Sequence, residues 1–204
     1  FVCASLLPND LFSSIEPFYW RDGVVDRVTG TELDQSCSDL ELSGDGRYVV
    51  FRTKSTLLGC EGATDFIYRV ELGAGAVCVS RGLNETAING RSLSPSISTD
   101  GSTVAFVSQA TNLSTFTTEA DQLVYACTLE AGEVSVCEPV SLSTAGQVID
   151  MAAMPSLSGD GRYVAFTVSL DEPALEGKPA GLPVVAVRAL DAEKTWVATP
   201  LPEG

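Results

Sequence analysis

The stretch "LSGDGRYVVF" at residues 42–51 returns as "LSGDGRYVAF" at 157–166 and, more loosely, as "ISTDGSTVAF" at 97–106. The aspartates of the three copies, Asp45, Asp100 and Asp160, lie 55 and 60 residues apart. Self-similarity at such a period marks a supersecondary unit repeated around an axis or along a line. Each copy has a readable local chemistry. Leu42, Ile97 and Leu157 end a short β run. Ser-x-Asp-Gly then supplies a turn, because Ser and Asp side chains bond nearby backbone N–H groups and Gly46, Gly101 and Gly161 take up positive φ. The runs "RYVVF", "STVAF" and "RYVAF" come next, rich in Val, Tyr and Phe, and predict a strand buried on both faces. The phrase reads as strand, tight turn, strand.

The segment after each phrase repeats as well. A second β run comes after a loop: "DFIYRVEL" at 65–72, "QLVYACTL" at 122–129 and "LPVVAVRAL" at 182–190. Turns at 73–75, 131–133 and 191–194 lead into "AVCVS" (76–80), "VSVCEPVS" (134–141) and "TWVAT" (195–199). Four antiparallel strands in each period describe the blade of a β-propeller. Frequent Gly and Pro argue against long helices. The expected fold is therefore all-β, a single propeller domain over 1–204, with blades at 37–93, 94–150 and 151–204. Residues 1–36 form a partial or divergent N-terminal blade. There, "GVVDRVTGTEL" at 23–33 reads as a third strand, a Gly turn at Thr29-Gly30 and a fourth strand, without the Ser-x-Asp-Gly phrase. A closed propeller needs at least about four blades. Either the N-terminal region completes a divergent blade, or the chain is part of a longer propeller, or chains complete one another.

The combination of Ser-x-Asp-Gly-x-x-Val-Ala-Phe, a later Val-Tyr strand and a Gly turn resembles the TolB-like (WD-repeat-like) β-propeller repeat, over about 165 residues from Cys37 onward. The resemblance implies a periplasmic or secreted propeller used for protein–protein contact. Many members carry an Asp/Asn-rich loop that resembles a calcium site. The corresponding loops, "GCEGATD" at 59–65 and "TTEADQ" at 117–122, lack the repeated acidic spacing, so no metal is assigned.

Composition narrows the partners. The 204 residues carry a net charge of −15, with 27 acidic side chains against 9 Arg and 3 Lys. Such a surface repels nucleic-acid backbones and anionic lipid. No apolar run approaches the roughly 18 residues of a membrane-spanning helix. The chain begins at Phe1, as a processed or trimmed product would. Six cysteines occur without CxxC spacing, and no His is present to complete a zinc site. This pattern points to disulfides and an oxidising compartment, with buried free thiols as the alternative. In "ACTLEAGEVSVC", a three-residue turn at Ala131-Gly132-Glu133 pairs Glu130 with Val134 and sets Cys127 opposite Cys137. The remaining Cys3, Cys37, Cys60 and Cys78 allow three pairings.

The absence of His removes Ser-His-Asp and Cys-His nucleophile systems, and no GxSxG, P-loop or GxGxxG motif occurs. No catalytic residue, cofactor or metal ligand is assigned. Asp45, Asp100 and Asp160 read as turn formers rather than a cation ring. Tyr48, Tyr163, Phe51, Phe106 and Phe166 read as blade packing rather than a ligand cage. Two sequons, at Asn84 and Asn112, fall in loops. The Pro-, Gly- and acid-rich insertion at 170–183 reads as a surface or contact loop. The expected function is a non-catalytic, extracytoplasmic scaffold that binds a protein partner or assembles with itself, through blade-end loops or strand addition at an open edge. One alternative is a glycan-active propeller, or one attached to a hydrolase whose catalytic part is missing. Another is a structural element of a cell-surface layer.

Overall fold

The computed structural model describes residues 2–3, 15–62, 65–169, 175 and 183–198, with side chains from residue 15 onward. Three four-stranded antiparallel sheets follow one another along the chain. Blade A contains β4 (Cys37–Leu42), β5 (Tyr48–Thr53), β6 (Phe66–Glu71) and β7 (Ala76–Cys78). Blade B contains β8 (Ser92–Ile97), β9 (Thr103–Ser108), β10 (Leu123–Glu130) and β11 (Glu133–Pro139). Blade C contains β12 (Ala153–Leu157), β13 (Tyr163–Val168), β14 (Val184–Ala189) and β15 (Lys194–Val197). An N-terminal sheet of three strands precedes them: β1 (Val2–Cys3), β2 (Pro17–Arg21) and β3 (Val24–Arg27). The architecture is a β-propeller of four-stranded blades, three complete and one partial. Each blade is an up-and-down meander in which every repeated phrase joins its first two strands.

The N-terminal sheet differs from its sequence reading. The strand at 24–27 is not followed by the expected fourth strand at 31–33: it lies at the edge of the sheet β1-β2-β3 and pairs with Pro17–Arg21 across the two-residue turn Asp22-Gly23. Both turn residues are left-handed, with φ of 51° and 85°. That conformation matches the twist of a hairpin, and Asp-Gly is a preferred sequence for it. Thr29-Gly30 lies beyond the hairpin, where the Gly30 N–H bonds the Arg27 carbonyl. As β7 leads into β8 and β11 into β12, so β3 leads into β4. By that correspondence β1–β3 occupy the second to fourth strand places, and the innermost place of this sheet has no counterpart among the described residues.

The innermost strands share a feature without a sequence signature. The ladder slips between Ser38 and Glu41, between Leu93 and Ser96, and between Ala153 and Ser156. At each slip one residue turns left-handed: Asp39, Ser94 and Met154, with φ of 53°, 51° and 49°. These are β-bulges, which bend a strand and increase its twist. Three different residue types adopt the same conformation at the same place in the first strand of each blade.

Apolar side chains pack in two clusters. One, built on Phe51, Phe66, Tyr68, Phe106 and Tyr125, joins blades A and B and receives Val28 and Leu33 from the N-terminal segment. The other joins blades B and C through Ala105, Val124, Leu157, Val164 and Phe166. Glu16 anchors the N-terminal segment from a buried position, accepting from the Arg27 Nε at 2.6 Å and the Leu33 N–H at 2.8 Å.

Candidate functional site

The repeated turn is built the same way three times. The Ser43 hydroxyl donates to Asp45 Oδ1 (2.7 Å), which also accepts the Arg47 N–H (3.0 Å), while Ser43 Oγ accepts the Tyr48 N–H (2.9 Å). Ser98 and Asp100 repeat the pattern with the N–H groups of Ser102 and Thr103. Ser158 and Asp160 do so with those of Arg162 and Tyr163. These donors hold all three carboxyls below the ordinary value near 3.8. For Asp45 and Asp160 the main cause is the serine hydroxyl, and for Asp100 it is the Ser102 N–H. A carboxyl depressed in the folded state adds stability above its unfolded pKa and loses it as pH falls through the folded value. The melting temperature is therefore expected to hold level from pH 7 to about 5 and to drop as pH falls below about 4. Asp100→Asn should flatten that drop. Melts of the two proteins over the same pH series check this, and parallel curves would refute it.

The turns also link neighbouring blades. The Asp45 N–H donates to the Thr99 carbonyl (2.9 Å), and the Thr99 N–H to the Gly159 carbonyl (2.8 Å). Arg69 of blade A donates through Nη1 to the Gly101 carbonyl of blade B at 2.7 Å. Its guanidinium lies 4.5 Å from the centroid of the Tyr48 ring. Gly101 rests against that ring, and a Cβ there would lie 2.2 Å from Tyr48 Cδ2. Gly161 of blade C takes the corresponding place beside Thr103 of blade B, where a Cβ would lie 3.0 Å from Oγ1. The first residue of the second strand in one blade is thus the seat for the turn glycine of the next.

That arrangement locates the candidate site. In blade C the corresponding seat is Tyr163, and it is 38% exposed. The rest of its face obeys the same rule. In blade B, Ala105 and Ala126 are 0% and 8% exposed because blade C lies over them. Their register counterparts in blade C are Ala165 and Val187, which oppose one another and continue across the sheet to Trp196 on β15. Trp196 is 38% exposed and meets Tyr163 edge-on, with ring centroids 6.3 Å apart. The predicted burial of the phrase strand on both faces therefore holds for β9, which is buried throughout. In β13 it fails, since Val164, Phe166 and Val168 are covered and the alternate residues are exposed or half-buried. At the other end of the array Trp20, 71% exposed, pairs across β2 and β3 with the exposed Val25.

Other features of the sequence take structural places. Cys127 and Cys137 are bridged. The register that aligns them differs from the sequence reading: the hairpin loop is the two residues Ala131-Gly132, Glu130 pairs with Glu133, and a bulge in β11 restores the offset so that Cys127 opposes Cys137. Cys60 is bridged to Cys78 across 18 residues. Next to it, the Tyr68 hydroxyl accepts the Cys60 N–H (2.8 Å) and donates to the Ser55 carbonyl (3.0 Å), and burial pushes its pKa up to about 12. Phe51, Phe106 and Phe166 are core residues. Asn112 is tied to the Ala87 carbonyl through its side-chain amide, whereas Asn84 sits left-handed on an exposed turn. Of the insertion at 170–183, only Leu175 and Pro183 fall within the described residues. Grooves of about 370 and 700 Å³ run between the outer strands of blades A and B and of blades B and C.

No protein-family model and no curated protein matches the sequence. Solved structures do. The chain is similar to the tricorn protease at 11% identity and a TM-score of 0.50, over 86% of this chain and 19% of that one. It is similar to a prolyl endopeptidase at 12% identity and a TM-score of 0.45, over 88% of this chain and 25% of that one. A putative TolB from Agrobacterium tumefaciens gives 15% identity and a TM-score of 0.35, over 89% and 67% of the two chains. The chain thus spans about a fifth to a quarter of the two peptidases it matches. At these identities the likeness is one of fold, and no activity follows from it.

Proposed function

We propose that the chain is a non-catalytic β-propeller scaffold that holds protein against the exposed face of blade C. The observation that carries this reading is the contrast between two equivalent faces. Ala105 and Ala126 are sealed by a neighbouring blade, while their counterparts Ala165 and Val187 are only half-buried and lie beside the exposed rings of Tyr163 and Trp196. An exposed apolar sheet face with two aromatic anchors is the composition of an interaction surface. The two disulfides favour an extracytoplasmic site of action. Among the described residues no helix is long and apolar enough to cross a membrane, and the net charge of −15 disfavours nucleic acid and anionic lipid as partners. The reading gives no residue a catalytic role, so hydrolysis of a peptide or glycan by the isolated chain would overturn that part of it.

Hydroxyl-radical labelling of Trp196 and Tyr163 tests the docking face. Labelling is compared between the protein in its native source material and the dilute purified chain. Protection of both residues in the native material is expected. Equal labelling in the two samples would mean that nothing docks there.

A further inference from the structure

The register of the complete blades sets Val49, Val104 and Val164 opposite Val70, Cys127 and Arg188. These partners hold one and the same place, and all of them are buried. In blades A and B the place is filled by a small apolar side chain. In blade C it holds a cation, 7% exposed, on the face of β14 opposite Val187. Arg188 Nη1 donates to the carbonyls of Leu142 (3.2 Å) and Ser143 (3.4 Å) and to Thr195 Oγ1 (3.0 Å). Nε and Nη2 make no hydrogen bond among the described residues, and neither is sealed from solvent as Arg69 Nε is. Burial pushes the guanidinium pKa down, and Glu193 and Glu138 act on it only through space. Burying a cation without a bonded acid is costly. A neutral donor would cap the two carbonyls as well, so capping leaves the charge unexplained.

Arg188 lines the groove of about 700 Å³ between the outer strands of blades B and C. Phe116, Val136 and Leu190 give the groove apolar walls, and Thr128 and Ser135 add hydroxyls that make no hydrogen bond among the described residues. A buried guanidinium selects an anion, and its planar fork fits a carboxylate. Glu138 and Glu193, exposed in the same lining, repel a polyanion such as phosphate. A plain hydrocarbon chain would desolvate the hydroxyls without bonding them, whereas peptide amides bond them. We propose that the groove binds the C-terminus of an apolar peptide, with its terminal carboxylate on Arg188 Nε and Nη2 and its amide groups on Thr128 and Ser135. The site lies on the face of blade C opposite Tyr163 and Trp196 and is independent of docking there.

The test offers the immobilised wild-type chain a pool of N-acetylated hexapeptides built from Ala, Val, Leu, Phe and Ser, with free-acid and C-terminal amide forms in equal amounts. Mass spectrometry of the retained peptides is expected to show the free acids enriched at least about tenfold, the worth of a charge-assisted pair of hydrogen bonds. Arg188→Gln should bring the ratio to one, and Arg162→Gln, an exposed arginine of the same blade, should leave it unchanged. Circular dichroism checks that both variants fold. A measurement on wild type alone needs no variant: the free-acid pool should shift the Arg188 Nε–H resonance and the amide pool should not. Equal retention of the two forms, no retention at about 1 mM, or enrichment that survives in folded Arg188→Gln would overturn the proposal. A shift of the Arg188 resonance by decanoate but not by the free-acid pool would also overturn it, and would assign the groove to a fatty carboxylate.

Discussion

Replacing Gly101 with alanine is expected to destabilise the protein by about 2–5 kcal/mol, whereas the same change at Gly46, in the same place of the same phrase, costs only about 1–2 kcal/mol. Both glycines are left-handed, with φ of 72° and 73°, so both replacements place an L-residue in a strained backbone region. Only Gly101 adds a collision. Its Cβ would press on the Tyr48 ring, while nothing lies within 4 Å of a Cβ at Gly46. The ring has little room to withdraw, since the Arg47 and Arg69 guanidinium groups lie 5.2 and 4.5 Å from its centroid. Displacing the turn also strains the Arg69–Gly101 hydrogen bond. Urea denaturation of the two variants measures the difference. Adding Tyr48→Ala should recover part of the Gly101→Ala loss and none of the Gly46→Ala loss, which isolates the inter-blade contact as a coupling. Equal losses at the two glycines would remove the contact as a cause.

Removing the Cys60–Cys78 bridge, as the Cys60→Ala, Cys78→Ala double variant, is expected to cost about 3 kcal/mol by loop-closure entropy alone. The bridge spans 18 residues and ties the loop after β5 to β7, an outer strand of only three residues. The Tyr68 hydroxyl holds the same loop by bonding the Cys60 N–H. The Cys127–Cys137 bridge closes 10 residues across two strands that are already paired. Its loss should cost a few tenths of a kcal/mol less, in keeping with the shorter loop. Urea midpoints give the totals. Hydrogen exchange should show β7 losing protection in the first variant, with β11 protected in both. A loss below about 1 kcal/mol for Cys60–Cys78, with β7 still protected, would show that the sheet alone positions that strand.

The phrase and its sequel foretold the strands because their signals are local. Ser43 and Asp45 bond backbone groups no more than five residues away, and so do their counterparts in the other two blades. The Cys127–Cys137 alignment is legible in the sequence even though its turn is one residue shorter than expected, since a three-residue loop and the actual two-residue loop with a bulge give the same offset at the cysteines. Asp22-Gly23 is a hairpin signal in the sequence, and it pairs the strand after it with Pro17–Arg21 rather than with a strand beyond Gly30. The docking face left less trace. "RYVVF" and "RYVAF" are nearly the same string, yet Val50 is fully buried and Ala165 is not.

By itself the sequence determined the repeat, the turn chemistry and the blade, because these depend on bonds between residues close along the chain. Only the tertiary structure decided which face of each blade is covered, which turn glycine meets a ring, and which cysteine Cys60 reaches. The innermost-strand bulges at Asp39, Ser94 and Met154 belong to the same class. The physical reason is that burial and steric contact are properties of neighbours. Gly46, Gly101 and Gly161 have one local conformation and three different surroundings, and only the packing of one sheet on the next tells them apart.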